Sequence, residues 1–445
     1  MSQKEPVSGF SRLSKKEKIA LAGNLISNPE QFARELSRYW HHDPEVQSLI
    51  DELSENTVSN FILPFGLAPN FLINDTPYIL PLVIEESSVV AAASRAAKLW
   101  FTRGGFRSEV ISTVKPGHIY FKWRANPELL LDNEKEIESY LIENSSHITE
   151  NMEKMGGGIR SITIRDMKPE MPTHYKLEAK FETADSMGAN FINTCLECFS
   201  RLLPEFFREK GILIDEHDMD INMAILSNHT PECLVTCRVE CTIQDLAGMG
   251  SGLDALGFAE KFRDAVDIAR YDTYRAVTHN KGIYNGIDAL VMATGNDYRA
   301  VEAAGHAFAS SGGRYSALTV ADLSGGLFQY ELKVPMAIGT VGGLTTSHPL
   351  ARLSMDLLGH PDARQLMQIA ASAGLANNFA AIWSLITSGI QKGHMKMHLA
   401  NILRAIGATQ EEKDSALEYF RDKTVSYRAA QDYITALRTK EIPDD

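Results

Sequence analysis

The spacing of apolar and polar residues changes along the chain from a helical to a strand-like pattern. The first helix is predicted to begin at Ser14, because Ser14 and Glu17 have the spacing of a capping box. Residues 60–84, NFILPFGLAPNFLINDTPYILPLVI, contain short apolar runs that are typical of strands. Asn74 and Asp75 supply the turn chemistry between two of these runs. The chain is therefore predicted to pass from helix into short strands.

An alanine-rich segment, EESSVVAAASRAAKLWFTRGG, follows these strands and is predicted to be a helix. Ser87 and Ser88 mark its start, and Gly104 and Gly105 mark its end. Its alanines leave little side-chain bulk, so neighbouring elements must pack closely against it. We therefore expect this helix to be the central, buried helix of a domain.

The pattern changes again between about residue 108 and residue 228. Strand-like segments such as HIYFKW and YKLEAKFET alternate there with two polar helices, which indicates an α+β domain inserted into the first domain. From residue 254 onward the chain is predicted to be helical, apart from a hairpin that turns at Ser324-Gly325-Gly326. The predicted fold class is α+β.

Composition and charge exclude several classes of protein. At 445 residues the chain is long enough for two or three domains, and its 44% apolar and 23% charged residues are typical of globular proteins. The longest apolar runs are interrupted by arginine or lysine before they reach membrane-spanning length, and the first residues lack the apolar core of a secretion signal. The net charge of −13, without basic runs, argues against nucleic acid as a partner. We expect a cytoplasmic protein without a membrane segment.

The five cysteines do not have the arrangement of a metal site. Cys195 and Cys198 lie in the middle of a predicted helix, whereas Cys237 and Cys241 lie on a predicted strand. Zinc sites place close cysteine pairs on loops, so buried structural cysteines in a reducing compartment are the favoured interpretation. His394 and the histidine four residues after it have a spacing that would suit a metal, but no acidic residue stands beside them as in H-E-x-x-H. We expect no metal cofactor.

A lone lysine, Lys281, stands in an unusual polar setting, HNKGIYNGID. Asn280 precedes it, Gly282 follows it and Asn285 lies four residues further on. A lysine in a flexible surface loop has no need of such neighbours, whereas a lysine in a pocket does. We therefore expect Asn280, Asn285 and the glycines to let backbone and side-chain amides pack around the ammonium.

Each of these residues also has a simpler interpretation. Lys281 and Asp297 could form an ordinary ion pair, and Glu85 and Glu86 could be acids that a helix dipole favours. Taken singly, each simpler interpretation is the better one. Several further motifs, which occur together with these residues in a fixed order, change that conclusion.

Five motifs resemble those of hydroxymethylglutaryl-CoA reductases of the soluble bacterial class. YILPLVIEESSVVAAAS resembles the segment around the family's catalytic glutamate, and DSMGANFINT resembles its D-A-M-G-A-N cofactor motif, with Ser186 in place of an alanine. YRAVTHNKGIYNGIDALVMATGND resembles the block with the catalytic lysine and aspartate. GTVGGLTTSHPLA and GIQKGHMKMH are similar to the glycine-rich loop and to the segment with the flap histidine. Ser87 stands where the family has a proline, which loosens the start of the helix.

The resemblance implies a fold and an activity. The family has a large domain around a central helix, an inserted ferredoxin-like cofactor domain and a mobile C-terminal helical flap, here residues 1–107 with 229–390, 108–228 and 391–445. It forms obligate homodimers, or larger assemblies of dimers, with active sites at the subunit interface. It reduces hydroxymethylglutaryl-CoA to mevalonate and free CoA with two NAD(P)H, or runs the reverse oxidation. Two alternatives are an inactive acyl-CoA-binding protein of the same fold and a hydro-lyase or thioesterase that needs no nicotinamide.

The resemblance also implies four catalytic residues. Lys281 would stabilise the negative charge that each hydride transfer creates on a carbonyl oxygen, and Asp297 would hold Lys281 charged. Glu86 would donate a proton to the reacting oxygen, helped by neighbouring acids. His394 on the flap would protonate the departing CoA thiolate, because imidazole titrates near neutral pH.

Binding residues follow from the same resemblance. Arg275 would bind the free carboxylate of the substrate, and Ser88 and Asn285 would complete the hydrogen bonds of the acid. The nicotinamide end of the cofactor has candidates in the D-A-M-G-A-N motif and in one later loop: Asp185, Met187, Gly188, Asn190 and Asn228.

The choice between NADPH and NADH is expected to depend on one position. Family members that use NADH place an aspartate shortly before the glycine run of the small domain, where it bonds the adenosine ribose. Counting back from Gly156 puts Thr149 at that position, and its neutral hydroxyl would not repel a 2′-phosphate. Glu150, one residue further along a helix, is expected to point elsewhere. Thr149 is therefore a candidate cofactor residue, and NADPH is expected to be preferred or at least accepted, with NADH as the alternative.

Overall fold

The structure is a computed structural model that describes residues 6–212, 217–250, 252–387, 399–421, 423 and 425–439. Residues up to Pro64 form one compact unit, and residues from Phe65 onward form a second. The first unit contains the helices α1 (Lys15–Gly23), α2 (Pro29–Ser37) and α3 (Pro44–Glu52).

The predicted cap of the first helix is confirmed. The backbone N–H of Glu17 donates to Ser14 Oγ over 3.3 Å, and the backbone N–H of Ser14 donates to the Glu17 carboxylate over 2.7 Å. Lys15 at the start of α1 forms an ion pair of 2.7 Å with Asp51 in α3. This pair connects the first and last helices of the unit.

The second unit mixes strands and helices. Its strands are β1 (Phe65–Ile73), β2 (Thr76–Val83), β3 (Arg107–Ser112), β4 (Lys115–Trp123), β5 (Gly158–Asp166), β6 (His174–Glu182), β7 (Met219–Leu226), β8 (Leu234–Thr242), β9 (Thr319–Asp322) and β10 (Leu327–Pro335). Its helices are α4 (Val89–Phe101), α5 (Pro127–Asp132), α6 (Glu134–Asn144), α7 (Ser146–Lys154), α8 (Ala189–Glu209), α9 (Ala255–Tyr271), α10 (Thr273–Ala293), α11 (Tyr298–Ala309), α12 (Gly343–Ser347), α13 (Pro349–Leu357), α14 (Ala363–Ile386), α15 (residues 399–405), α16 (Gln410–Tyr419) and α17 (Tyr427–Thr439).

The strands form three antiparallel sheets. β1 and β2 pair as predicted, and the turn residues Asn74 and Asp75 have positive φ angles of 46° and 67°. The second sheet has the strand order β3-β8-β10-β9, in which the predicted turn Ser324–Gly326 connects β9 to β10. The third sheet has the order β5-β6-β4-β7. Together with the helices, these sheets confirm the predicted α+β class.

The third sheet has its own hydrophobic core, which helices α6 and α8 help to form. α8 contributes an apolar stripe at helical spacing that includes Ile192, Cys195, Leu196 and Phe199, all of them buried. Full burial of an apolar side chain of this size contributes about 1.5–3 kcal/mol to stability. The sheet and its helices lie inside the segment for which an α+β pattern is predicted.

The helix at the centre of the second unit differs from the one expected. α4 buries Ala96 and Ala97 but leaves Arg95 and Lys98 exposed, so it covers the core with one face. α14 is buried on nearly all sides. Among the described residues α14 is the helix that could cross a membrane by length and composition, but most of its apolar stretch is buried inside the protein. Small side chains occur on both helices, so alanine content alone does not identify the central one.

The cysteines have the structural role predicted for them. All five are free thiols and all five are buried. Burial raises the pKa of the Cys195 thiol and of the Cys237 thiol to about 12. Because the thiolate is the reactive form, these side chains behave as small apolar groups.

Candidate active site

A cavity of about 490 Å³ opens between α4, α10 and α14. Four of the residues singled out from the sequence line it together: Glu86, Ser88, Lys281 and Asn285. We call this space the lysine cavity. It brings the expected proton donor, the expected cation and two expected substrate ligands into one place.

Glu86 and Lys281 form a hydrogen-bonded ion pair in the lysine cavity. Glu86 lies in the turn between β2 and α4, where Ser88 has a φ of +74°. Residues other than glycine rarely adopt this left-handed backbone conformation, so the turn that contains Glu86 is strained. Such strain is frequent at functional sites. The Lys281 side chain is 58% exposed and the Glu86 side chain 36% exposed. Both are therefore open to a ligand.

The residues beside Lys281 have different roles from those expected. Lys281 lies on the continuous helix α10, and a Cβ on Gly286 would lie 2.3 Å from the carbonyl oxygen of Ala373 in α14. Glycine is therefore required there for the close approach of two helices. Asn280 is buried and binds the chain before β9: its Nδ2 donates to the Ser316 carbonyl and its Oδ1 accepts from the Leu318 N–H. The expectation that Asn280 packs around the ammonium is wrong.

Arg275 does not line the lysine cavity as the sequence suggested. Its positive charge acts on two buried side chains, His279 in α10 and Tyr330 in β10. Arg95 on α4 does line the cavity, and its guanidinium carbon lies 3.7 Å from the ring centroid of Trp383. The sequence does not indicate Arg95, because a single arginine in an alanine-rich helix looks like an ordinary solvent-facing residue.

His279 is a buried residue of α10. Its Nε2 lies 2.6 Å from Thr319 Oγ1, and its Nδ1 has no partner among the described residues. Burial, followed by the positive charge of Arg275, lowers the pKa of His279 to about 3. The folded protein therefore holds this imidazole uncharged at neutral pH.

We expect His279 to make the folded state acid-sensitive. The unfolded chain binds a proton at this side chain near pH 6.5 and the folded chain does not, so stability is fully present above about pH 6.5 and falls as the pH drops toward about 3. The loss at about pH 5 should be roughly 2 kcal/mol. His279→Gln keeps a polar group near Thr319 and should flatten this part of the curve, which urea titrations at several pH values would measure. Parallel curves for the two proteins would contradict the prediction.

A second cavity, of about 420 Å³, lies beside the loop that precedes α8. Met187, Gly188 and Asn190 of the cofactor motif line it, together with Asp297 and the glycine-rich loop 341–345. We call this space the glycine cavity. None of the residues that line it lines the lysine cavity.

Close backbone packing shapes the glycine cavity. Gly188 has a φ of +93°, and a Cβ there would lie 2.4 Å from a methyl group of Thr183. A Cβ on Gly339 would lie 2.4 Å from the backbone nitrogen of Met187. The 21-residue helix α8 begins at this point, and the first backbone N–H groups of a helix have no acceptor within it. Such a helix N-terminus suits the phosphates of a dinucleotide.

Asp297 lines the glycine cavity. The ion pair between Asp297 and Lys281 that the sequence suggested is not formed within one chain. The Asp297 carboxylate accepts bonds of 3.0 and 3.1 Å from the Arg299 guanidinium and caps α11. Burial acts to raise the pKa of Asp297, but the bonds from Arg299 and from the Ala300 N–H outweigh it and hold this pKa below its usual value. The separation has a simple cause, because about 18 Å of helix lies between Lys281 and the end of α10 at Ala293.

Thr149, the cofactor residue predicted from the sequence, lies on the buried face of α7. Thr149 is 1% exposed, and its hydroxyl donates to the Ser146 carbonyl inside α7. Glu150 is the exposed neighbour and forms an ion pair of 2.7 Å with Lys154. A helix turns by about 100° per residue, so a shift of one position exchanges the buried face for the exposed one. Counting along the sequence does not determine which of two neighbouring helical residues faces the core.

Two further candidates, Asp185 and Asn228, line neither cavity. The Asp185 carboxylate accepts the N–H of Ala363, so it anchors the cofactor motif to the start of α14. Asn228 follows β7, and its neighbours Ser227 and His229 line a separate cavity on the third sheet. His394 lies outside the described residues. Within the described residues, no group of three or more His, Cys, Asp or Glu side chains is placed to hold a metal ion.

Comparison with known proteins identifies the family. The family model described as hydroxymethylglutaryl-coenzyme A reductase matches residues 22–399. The chain therefore belongs to this family, and the identification from five motifs is confirmed. It is 34% identical to 3-hydroxy-3-methylglutaryl-coenzyme A reductase of Archaeoglobus fulgidus over 99% of this chain and 96% of that protein. It is 30% identical to a probable enzyme of the same name from Borreliella burgdorferi, over 93% of each chain.

A solved structure shows the same architecture. The class II 3-hydroxy-3-methylglutaryl-CoA reductase of Streptococcus pneumoniae, determined with bound NADPH in open conformations, superposes with a TM-score of 0.71. It is 38% identical in sequence, and the match covers 96% of this chain and all of that one. The predicted α+β fold of the family is thus found here over nearly the whole chain.

Proposed function

We propose that this chain reduces hydroxymethylglutaryl-CoA to mevalonate and free CoA, with reduced nicotinamide as the electron donor. The Lys281–Glu86 ion pair in an open cavity is the observation that carries the proposal. It joins a cation and an acid at one point, which is what the reduction of a carbonyl group to an alcohol requires. The glycine cavity supports the proposal, because its backbone N–H groups suit a dinucleotide.

In the proposed mechanism, Lys281 stabilises the oxygen of the thioester as negative charge develops on it. A nicotinamide cofactor bound in the glycine cavity would supply the hydride. Glu86 gives its proton to that oxygen, and its direct bond to Lys281 fixes the orientation of both groups. His394 protonates the departing thiolate of CoA, and the hydroxyl of the hemithioacetal returns its proton to Glu86 as the C–S bond breaks and the aldehyde forms. Lys281 and Glu86 then repeat their roles on the aldehyde, for which a second nicotinamide would supply the hydride, and the product is the alcohol.

We propose that a second copy of the chain completes the site. Hydride transfer requires the nicotinamide to contact the thioester carbon, yet Lys281 and Asp297 lie in cavities that share no lining residue. In a symmetric dimer, the glycine cavity of one subunit can face the lysine cavity of the other. Asp297 would then approach Lys281 across the interface, as the family's interfacial active sites imply.

Several finer assignments are also proposals. Residues 1–107 with 229–390 form the large domain, 108–228 the cofactor domain and 391–445 the flap. Asp185 is assigned a positioning role and Asn228 a cofactor contact. NADPH is the preferred cofactor, supported by the NADPH-bound structure of the Streptococcus pneumoniae enzyme, and NADH is the alternative. A cytoplasmic location is proposed from the sequence.

The activity can be tested by mixing the protein with hydroxymethylglutaryl-CoA and either cofactor. We expect two molecules of NADPH to be oxidised for each CoA released, measured by nicotinamide absorbance and thiol titration, and a higher kcat/KM with NADPH than with NADH. A thioesterase would release CoA without oxidising NADPH, and an inactive binding protein would do neither. Either of these outcomes would refute the proposal.

A further inference from the structure

Lys115 is a buried cation at the start of β4. Ile119, Phe121 and Trp123 of this strand belong to the hydrophobic core of the third sheet. Successive side chains of a strand point to opposite faces, so Lys115 lies at a position of the same, core-facing side. Its exposed fraction is 4%. A charged group at such a position is costly to bury, so packing alone does not account for this lysine.

The Lys115 ammonium is bonded to the segment that carries the cofactor motif. Its Nζ donates to Thr183 Oγ1 over 2.6 Å, and the same hydroxyl donates to the Ser186 carbonyl over 2.7 Å. Among the described residues, Lys115 forms no ion pair and its side chain has no second hydrogen-bond partner. One buried hydroxyl therefore connects this charge to residues 184–188, which we call the cofactor loop.

Thr183 supports the conformation of the cofactor loop. The backbone N–H and the Oγ of Ser186 each donate to the Thr183 carbonyl over 3.0 Å, and Gly188 packs directly against the Thr183 side chain. Ala184 has a φ of +46°, in the left-handed region that residues other than glycine rarely adopt. Such a backbone persists only where its surroundings hold it. The bonds that meet at Thr183 provide this support.

The charge of Lys115 also suits the ligand proposed for the glycine cavity. Among the described residues that line this cavity, Asp297 is the charged one, and it is paired with Arg299. The diphosphate of a nicotinamide dinucleotide is anionic, and the chain has a net charge of −13. A cation buried behind the cofactor loop opposes that overall field, and water screens it less than it would screen a surface lysine.

We propose that Lys115 is a positioning residue of the cofactor site, which holds the cofactor loop through Thr183 and thereby determines the affinity for the nicotinamide dinucleotide. This inference rests on the proposed function. Lys115 lines neither cavity, so it acts through Thr183 and not by contact with the substrate or the cofactor.

The first test is equilibrium binding, which does not depend on turnover. Lys115→Met should weaken the binding of NADPH about tenfold in fluorescence titrations, because the cofactor loop loses its charged anchor. The binding of free CoA should not change. Lys122→Met is the matched control, since Lys122 lies at the other end of the same strand, and this variant should bind NADPH like the wild type.

The second test separates positioning from a purely structural role. The double variant Lys115→Met/Thr183→Val replaces both bonded groups by apolar groups of similar shape, a change that is nearly neutral for folding. It should unfold at about the wild-type temperature, yet bind NADPH about tenfold more weakly, with no further loss beyond Lys115→Met alone. Thr183→Ser keeps the hydroxyl and should retain most of the affinity.

Steady-state kinetics should show the same division between the two ligands. In the double variant, KM for NADPH should rise about tenfold, whereas kcat and KM for hydroxymethylglutaryl-CoA should change little. Equal increases in the two KM values would contradict a role confined to the cofactor.

Two further results would overturn the inference. If the double variant is folded and binds NADPH as tightly as the wild type, Lys115 does not position the cofactor loop. If affinity falls only in variants whose unfolding temperature also falls, Lys115 serves stability alone. A wild-type protein that binds neither NADPH nor NADH would instead refute the proposed function, so the two failures are distinguishable.

Discussion

Replacing Lys281 with alanine is expected to lower kcat for thioester reduction by at least about 10²-fold, because the oxygen that gains charge loses its cation. The folded state should be nearly unaffected, since the Lys281 side chain is 58% exposed. Stopped-flow or steady-state oxidation of NADPH would measure the loss, and thermal unfolding would measure stability.

Lys333→Ala provides the control for this substitution. Lys333 is an exposed lysine on β10, so its removal changes the net charge by the same amount at a distance from the lysine cavity. It should retain wild-type activity. Normal turnover in the Lys281 variant would remove Lys281 from the mechanism, and a large loss in both variants would show that net charge is responsible.

Features determined by neighbouring residues were predictable from the sequence. The cap at Ser14, the turn at Asn74-Asp75 and the turn at Ser324–Gly326 depend on a few consecutive side chains, and each occurs as predicted. The proximity of Glu86 and Lys281 is different, because 195 positions separate them in the chain. No spacing rule indicates that pair, and resemblance to a family supplied it.

Features that depend on packing between distant elements were not predictable. The sequence connects Gly286 with Lys281. Glycine is required at this position for another reason, because a Cβ there would collide with the backbone of α14. Thr149 was selected by counting, but the core of the third sheet decides which face of α7 is buried. The setting of Arg95 depends on Trp383, which contacts it from another helix. In each case the missing information is the position of a second element.

The separation of Asp297 from Lys281 leads to the strongest test of the proposed dimer. Asp297→Asn and Lys281→Ala should each give nearly inactive homodimers, because every site would contain one defective residue. A heterodimer of the two variants, isolated by different affinity tags, has one site with both defects and one site with none. It should therefore show about half of the wild-type activity.

A heterodimer of Lys281→Ala with Glu86→Gln is the matched control. Both residues line the lysine cavity of their own chain. In this heterodimer one site therefore lacks Lys281 and the other lacks Glu86, so activity should not return. If Asp297 instead acted on Lys281 within its own subunit, the first heterodimer would be as inactive as its parents. Recovery in the first pair and none in the second would place Asp297 across the interface from Lys281.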